Sequence, residues 1–171
     1  MAKGNNPVFS GMFLGEFERS LDPQCRVSLP SEWRSQDEGA TFVMMPTANA
    51  AAILLPEAAF RKFFEAAAAD SIADVELQEH LAYLGSQSRF CRCDKQGRMA
   101  LDREKLSGLG ITDQLKLVGA VTHIRLCDPG KLQSDFDQEK VGHCLEAIKN
   151  AKSSASSALA GILTSALQGK K

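Results

Sequence analysis

Two segments of the chain, Asp22-Pro-Gln-Cys-Arg26 and Asp94-Lys-Gln-Gly-Arg98, share the pattern D-x-Q-x-R, and 72 positions separate each residue of the first from its counterpart in the second. A repeat at a fixed interval constrains architecture more than composition does, because each copy must form the same local structure. The surroundings repeat as well. Segments mixing aromatic and basic residues, Phe17-Glu-Arg-Ser-Leu21 and Arg89-Phe-Cys-Arg-Cys93, precede the two aspartates. Short β-like runs, Val27-Ser-Leu-Pro30 and Met99-Ala-Leu101, follow the two arginines, and helical starts come next at Ser31-Glu-Trp-Arg34 and Asp102-Arg-Glu-Lys-Leu106. Each half then closes with a stretch of 15 residues, 42–56 or 115–129, ending in Pro56 or Pro129. Each stretch reads as two short strands around a turn of polar or small residues.

Each half is therefore strand, turn, strand, short helix, strand, turn, strand, which makes the chain α+β. A half of about 45 residues buries too little surface to be stable alone, so the two are expected to complete one core. The 44% of hydrophobic residues suffices for that core. Residues 16–59 form the first half-domain in this reading, 60–87 the connecting helices, 88–131 the second half-domain and 132–171 a C-terminal helix and tail. Phe60, Phe63, Phe64 and Ala67 recur at helical spacing, as do Leu77, Leu81 and Leu84 before Gly85, where that helix is expected to stop. Val141, Cys144, Leu145 and Ile148 make a third stripe. All three read as core packing. The Ser/Ala-rich stretch from Lys152 reads as a linker to Leu159, Ile162, Leu163, Ala166 and Leu167, either a last amphipathic helix or a frayed terminus.

The D-x-x-x-R pattern between two strands is a turn with a mechanism. The Asp carboxylate can accept from backbone N–H groups and nucleate the turn. Gly97 supplies the left-handed position such a turn favours. The Arg then opens the return strand, where a rigid scaffold can aim it outward. A lone Asp-to-Arg pair reads as a brace for its own turn, whereas two copies in register point to a shared function. Cys25 stands where Gly97 does, and a side chain is penalised at positive φ, so the first turn is expected to differ in shape.

Enzyme classes find little support. His80, His123 and His143 are the only histidines, and His123, in the turn of the last hairpin, has Ala50 as its counterpart. No Gly-rich phosphate loop, G-x-S-x-G or H-E-x-x-H occurs. Cys91 and Cys93 share a strand face, but C-x-C is poor zinc spacing, and both read as packing residues. No catalytic residue, metal or cofactor is expected. Five cysteines without C-x-x-C, a start without the apolar core of a secretory signal, and no apolar run of about 20 residues suggest a cytosolic chain with reduced thiols.

The paired motif, in the context 13–34 and 89–129 with Leu117-Val-Gly119 and Asp128, resembles the two halves of the MraZ family, over about residues 12–150. Met12-Phe13 resembles the usual family start, so residues 1–11 read as an N-terminal extension. The resemblance implies tandem AbrB-like swapped-hairpin half-domains forming a pseudo-two-fold β-barrel core with flanking helices. It further implies a ring-like homo-oligomer, nucleoid-associated, that regulates transcription from direct repeats upstream of division and cell-wall genes. Its D-x-x-x-R arginines would face double-stranded DNA.

On that reading Arg26 and Arg98 reach DNA, through guanine or through phosphate. Lys95, at a turn tip, is a phosphate candidate. Arg19 and Arg92 precede their motifs by three and two residues, so they fall on opposite strand faces and at most one meets DNA. For Arg34 and Arg103, after the hairpins, phosphate contact and plain solvation weigh equally. Asp22, Asp94 and Gly97 brace the turns. The formal net charge of −1 gives no bulk attraction to DNA, so basic residues must gather on one face. Residues 89–105 carry six basic and three acidic side chains, residues 13–34 three and four. The second half is therefore expected to hold phosphate more strongly. A rival reading is an antitoxin-like protein-binding module using residues 130–171. A metal-dependent enzyme is a more distant third.

Overall fold

The structure is a computed structural model that describes residues 11–34, 39–47, 51–71, 73–131 and 137–150, apart from the side chains of 66, 67, 70, 71, 149 and 150. Eight strands and four α-helices alternate along it. The first half contributes β1 (Glu16–Ser20), β2 (Arg26–Ser28), β3 (Thr41–Thr47) and β4 (Ala51–Pro56). Helices α1 (Glu57–Ser71) and α2 (Val75–Gln87) follow. The second half contributes β5 (Arg89–Arg92), β6 (Arg98–Ala100), α3 (Arg103–Gly108), β7 (Gln114–Gly119), β8 (Ile124–Cys127) and finally α4 (Gln138–Asn150).

The halves do not form separate sheets. Six strands lie in the order β1-β7-β8-β4-β3-β5, and β2 pairs with β6 in a two-stranded ribbon. Exchanging β1 to β4 for β5 to β8 reproduces the same order from the other end. β1 thus lies on β7 of the other half, with Phe17 opposite Leu117, and β5 lies on β3, with Cys91 opposite Phe42. Strands β4 and β8 meet in the middle, with Leu54 opposite Ile124. The α+β class and the mutual dependence of the halves agree with the sequence. The expected barrel does not close: among the described residues the six-stranded sheet is open, with β1 and β5 as its edges. The tight turns at Asp22 and Asp94 divert the chain out of that sheet into the ribbon, and an isolated bridge, Cys93 to Met99, links the second edge to it.

One core fills the space between sheet and ribbon. Phe13, Val27, Leu29, Trp33, Met44 and Leu54 from the first half meet Met99, Leu106, Ile111, Leu115, Leu117 and Leu126 from the second, all buried. Phe13 packs edge-on to Trp33, ring centroids 5.8 Å apart, and Trp33 Nε1 donates to Leu14 O at 3.0 Å. Phe13 also exchanges backbone hydrogen bonds with Val121. This brings its backbone so close to Gly119 that a Cβ there would lie 2.5 Å from its carbonyl carbon and oxygen, which restricts the position to glycine.

Helix α1 begins where Pro56 ends β4. Phe60 and Phe64 of its stripe, with Leu84 of α2, cover Met45, Ile53 and Leu55 on the outer sheet face. Ala67 lies outside the described side chains. Gly85 does not end α2, which runs two residues further. Gly85 keeps a helical backbone there, and its carbonyl accepts from Ser88 N. The α4 stripe departs most from expectation: Val141, Leu145 and Ile148 are all exposed, as is Cys144, so among the described residues it packs on no core. The expected helix over 159–167, Ala50, and all of the extension but Gly11 lie outside the described residues.

Candidate nucleic-acid interface

The two D-x-x-x-R segments form the same turn. Asp22 Oδ1 accepts from the backbone N–H of Gln24 at 3.0 Å and of Arg26 at 2.8 Å, while Oδ2 accepts from Arg26 Nε at 2.7 Å. Asp94 repeats this with Gln96 N at 2.9 Å, Arg98 N at 2.9 Å and Arg98 Nε at 2.8 Å. Backbone bonds close both turns, Cys25 N to Asp22 O and Gly97 N to Asp94 O. Cys25 has φ 59° and Gly97 φ 73°, so the expected difference in shape is absent. Cys25 adopts the left-handed conformation despite its Cβ, because the same carboxylate bonds fix the turn and its side chain is buried.

Both aspartates hold their charge at lower pH than an ordinary aspartate does. Partial desolvation would raise Asp22, but the N–H and guanidinium of Arg26 outweigh it and hold its pKa below the ordinary value. The Arg98 N–H is the largest influence on Asp94 and lowers it likewise, against partial desolvation and with help from the Arg98 side chain. Each carboxylate takes only Nε of its arginine side chain, so the Nη nitrogens of the planar fork carry its other donors.

The ribbon sets the direction of those forks. Arg26 lies opposite Ala100 and Arg98 opposite Ser28, with Val27 and Met99 paired between them. Val27 and Met99 are wholly buried, so alternation turns Arg26, Ser28, Arg98 and Ala100 to the other face. Arg26 and Arg98 are then diagonal neighbours on one open face, Cα atoms about 7–8 Å apart. Lys95 is exposed at the tip of the second turn.

The other candidates stand elsewhere. Arg19 lies on edge strand β1, half-buried, its guanidinium 5.3 Å from the Phe17 ring centroid and donating to Glu18 O. Arg92 is exposed on the opposite edge strand, β5. Neither belongs to the ribbon. Arg34 and Arg103 reach across to the other half's turn. Arg103 Nη2 donates to Pro23 O at 2.9 Å. Arg34 Nε donates to Leu29 O at 2.9 Å, and the guanidinium lies so close to Gly97 that a Cβ there would collide with Nε. Paired backbone bonds support these contacts, Leu29 N to Gly97 O and Leu101 N to Cys25 O, both 2.9 Å.

The sequence reading missed these crossed contacts. The equal spacing of Leu29 after Cys25's turn and Leu101 after Gly97's was their only trace. It also missed Lys116, buried on β7 with Nζ 3.5 Å from Glu16 and 3.8 Å from Glu18 on β1, a cluster legible only once β1 is paired with β7. His123 sits in the last hairpin's turn but is buried, and burial, then Arg125, lowers its pKa, leaving it neutral. Burial raises the Cys91 and Cys93 thiols to about 11, so neither is a ready thiolate. Among the described residues no group of three or more His, Cys, Asp or Glu is placed to hold a metal ion, and no helix is long and apolar enough to cross a membrane.

No family model matches the chain. Among curated proteins, the transcriptional regulator MraZ of Corynebacterium efficiens is 28% identical over 117 residues, covering 68% of this chain and 81% of that protein. The transcriptional regulator MraZ of Mycobacterium sp. (strain KMS) is 25% identical over 122 residues, 71% of this chain and 85% of its own. That of Mycoplasmopsis pulmonis is 24% identical over 140 residues, 80% and 95% of the two chains. With two matching turns on one ribbon and this likeness over most of its length, the chain resembles the MraZ family of transcriptional regulators.

Proposed function

We propose that the protein is a sequence-specific DNA-binding transcription regulator whose two D-x-x-x-R turns present Arg26 and Arg98 to the duplex. The observation that carries this reading is the placement of both arginines on one open face of the β2–β6 ribbon, each forked from its own aspartate. The major groove admits a two-stranded ribbon, and arginine reads guanine or clamps phosphate there. Lys95 extends the basic face at one end. In this reading the exchanged pairing of the two halves is the AbrB-like swapped-hairpin arrangement, with half-domains at 16–59 and 88–131. The protein acts in the cytoplasm at the nucleoid, on direct repeats upstream of division and cell-wall genes.

A single ribbon carries few charges on a chain of net charge −1, so useful affinity calls for several copies on one DNA. The exposed α4 stripe of Val141, Leu145 and Ile148 suits a contact between copies in a ring-like homo-oligomer. The same stripe favours the second reading, an antitoxin-like module that binds another protein, with DNA binding secondary. A gel-shift titration with the DNA upstream of the protein's own gene separates them. The regulator prefers that DNA to a scrambled duplex, and Arg98→Ala weakens binding more than Arg26→Ala, because the second turn stands in the more basic half. Equal affinity for both duplexes favours the protein-binding module.

A further inference from the structure

Arg34 and Arg103 were expected to touch phosphate or solvent, yet Arg103 bonds the first turn and Arg34 packs against the second. We infer that they are positioning residues that cross-clamp the two reading turns, Arg103 holding the first and Arg34 the second. This rests on the reading of the turns as DNA-facing, and the clamp itself can be tested without DNA.

Each clamp has two parts, and both cross between the halves. At the first turn the backbone oxygens of Pro23 and Cys25 both accept from the second half. Leu101 N takes the Cys25 oxygen and Arg103 Nη2 takes the Pro23 oxygen, 80 positions away in the chain. At the second turn Leu29 N takes the Gly97 oxygen. Arg34 is tethered by Nε to Leu29 O and packs against Gly97, in space any side chain at 97 would fill. Each turn is thus braced from within by its aspartate and from outside by the segment following the opposite strand of the ribbon. Asp22 and Asp94 fix the arginine fork relative to its turn. Arg103 and Arg34 fix the turn relative to the ribbon, where a displacement of about 1 Å already spoils bidentate recognition. Because each half holds the other's turn, neither reading head is complete without both halves.

The test is amide hydrogen exchange on the full-length protein, read at the Asp-bonded amides. Arg103→Ala is expected to speed exchange at Gln24 and Arg26 and leave Gln96 and Arg98 unchanged, while Arg34→Ala does the reverse. Equal acceleration at both turns means general destabilisation and overturns the clamp, as does no change at either. In DNA titrations, Arg103→Ala is expected to weaken binding several-fold in the wild-type and Arg98→Ala backgrounds, but less than about twofold once Arg26 is already alanine. Equal losses in all backgrounds overturn the positioning role. So does a salt-dependence slope that falls by about one unit in Arg103→Ala, the mark of a lost phosphate contact. If the wild type prefers no DNA, the regulator reading fails, and the crossed exchange pattern alone decides the clamp.

Discussion

At the scale of single residues, the turn is held by one carboxylate accepting three hydrogen bonds, and its behaviour with pH follows. The pKa values of Asp22 and Asp94 are lower in the folded protein than in the unfolded chain. Their contribution to stability is therefore complete above the ordinary aspartate value of 3.8 and is lost as pH falls through the lowered folded values. DNA affinity should be indifferent to these groups between about pH 5 and 8, a window in which both remain ionised. Turn order, followed by NMR at Gln24 and Gln96, should fail only in stronger acid; loss near pH 6 would contradict the assignment. Position four of the turn gives a second prediction. Gly97→Ala adds a Cβ at positive φ, costing about 1–2 kcal/mol, and pushes Arg34 off its perch. Cys25→Ala keeps a Cβ where one already sits and should cost less than about 1 kcal/mol, the loss of one small buried group. Urea melts of the two variants would show the difference. The Asp, Arg and Gly roles were all framed from sequence. That Cys25 would accept the same backbone was not, because intrinsic preference opposes it and only the tertiary setting overrides it.

At the scale of elements, the ribbon is the unit that matters. Three residues per strand are too few to stand alone, and Val27 and Met99 anchor it by inserting into the common core. Met99→Ala should cost about 2–5 kcal/mol and loosen both turns together, seen as faster amide exchange at Gln24 and Gln96 alike. Unchanged exchange at either turn would mean that the ribbon does not depend on this anchor. Strand and helix positions were largely legible, because proline, glycine and the aspartate turns punctuate them. The limits of α2 were less so: Gly85 signals a stop, yet a glycine with a helical backbone simply continues the helix. The α4 stripe was misassigned for a different reason. Periodicity shows that a helix has an apolar face and says nothing of which surface receives it, and here none among the described residues does.

For the whole molecule, the repeat in sequence becomes an exchange in space. The spacing of 72 residues told that two similar halves exist, and their small size told that they share a core. Which strand lies on which is a matter of pairing, and the order β1-β7-β8-β4-β3-β5, open rather than closed, was not readable from composition or period. That exchange places both D-x-x-x-R turns on one ribbon and Arg26 beside Arg98, two residues far apart in the chain. DNA recognition by this pair can be measured by fluorescence anisotropy of the Arg26→Ala/Arg98→Ala variant against the upstream duplex and a scrambled one, with folding verified by an unchanged thermal melt. The proposed interface predicts that the variant binds both duplexes alike and with a shallower salt dependence than the wild type. A folded variant that still prefers the upstream duplex would contradict it.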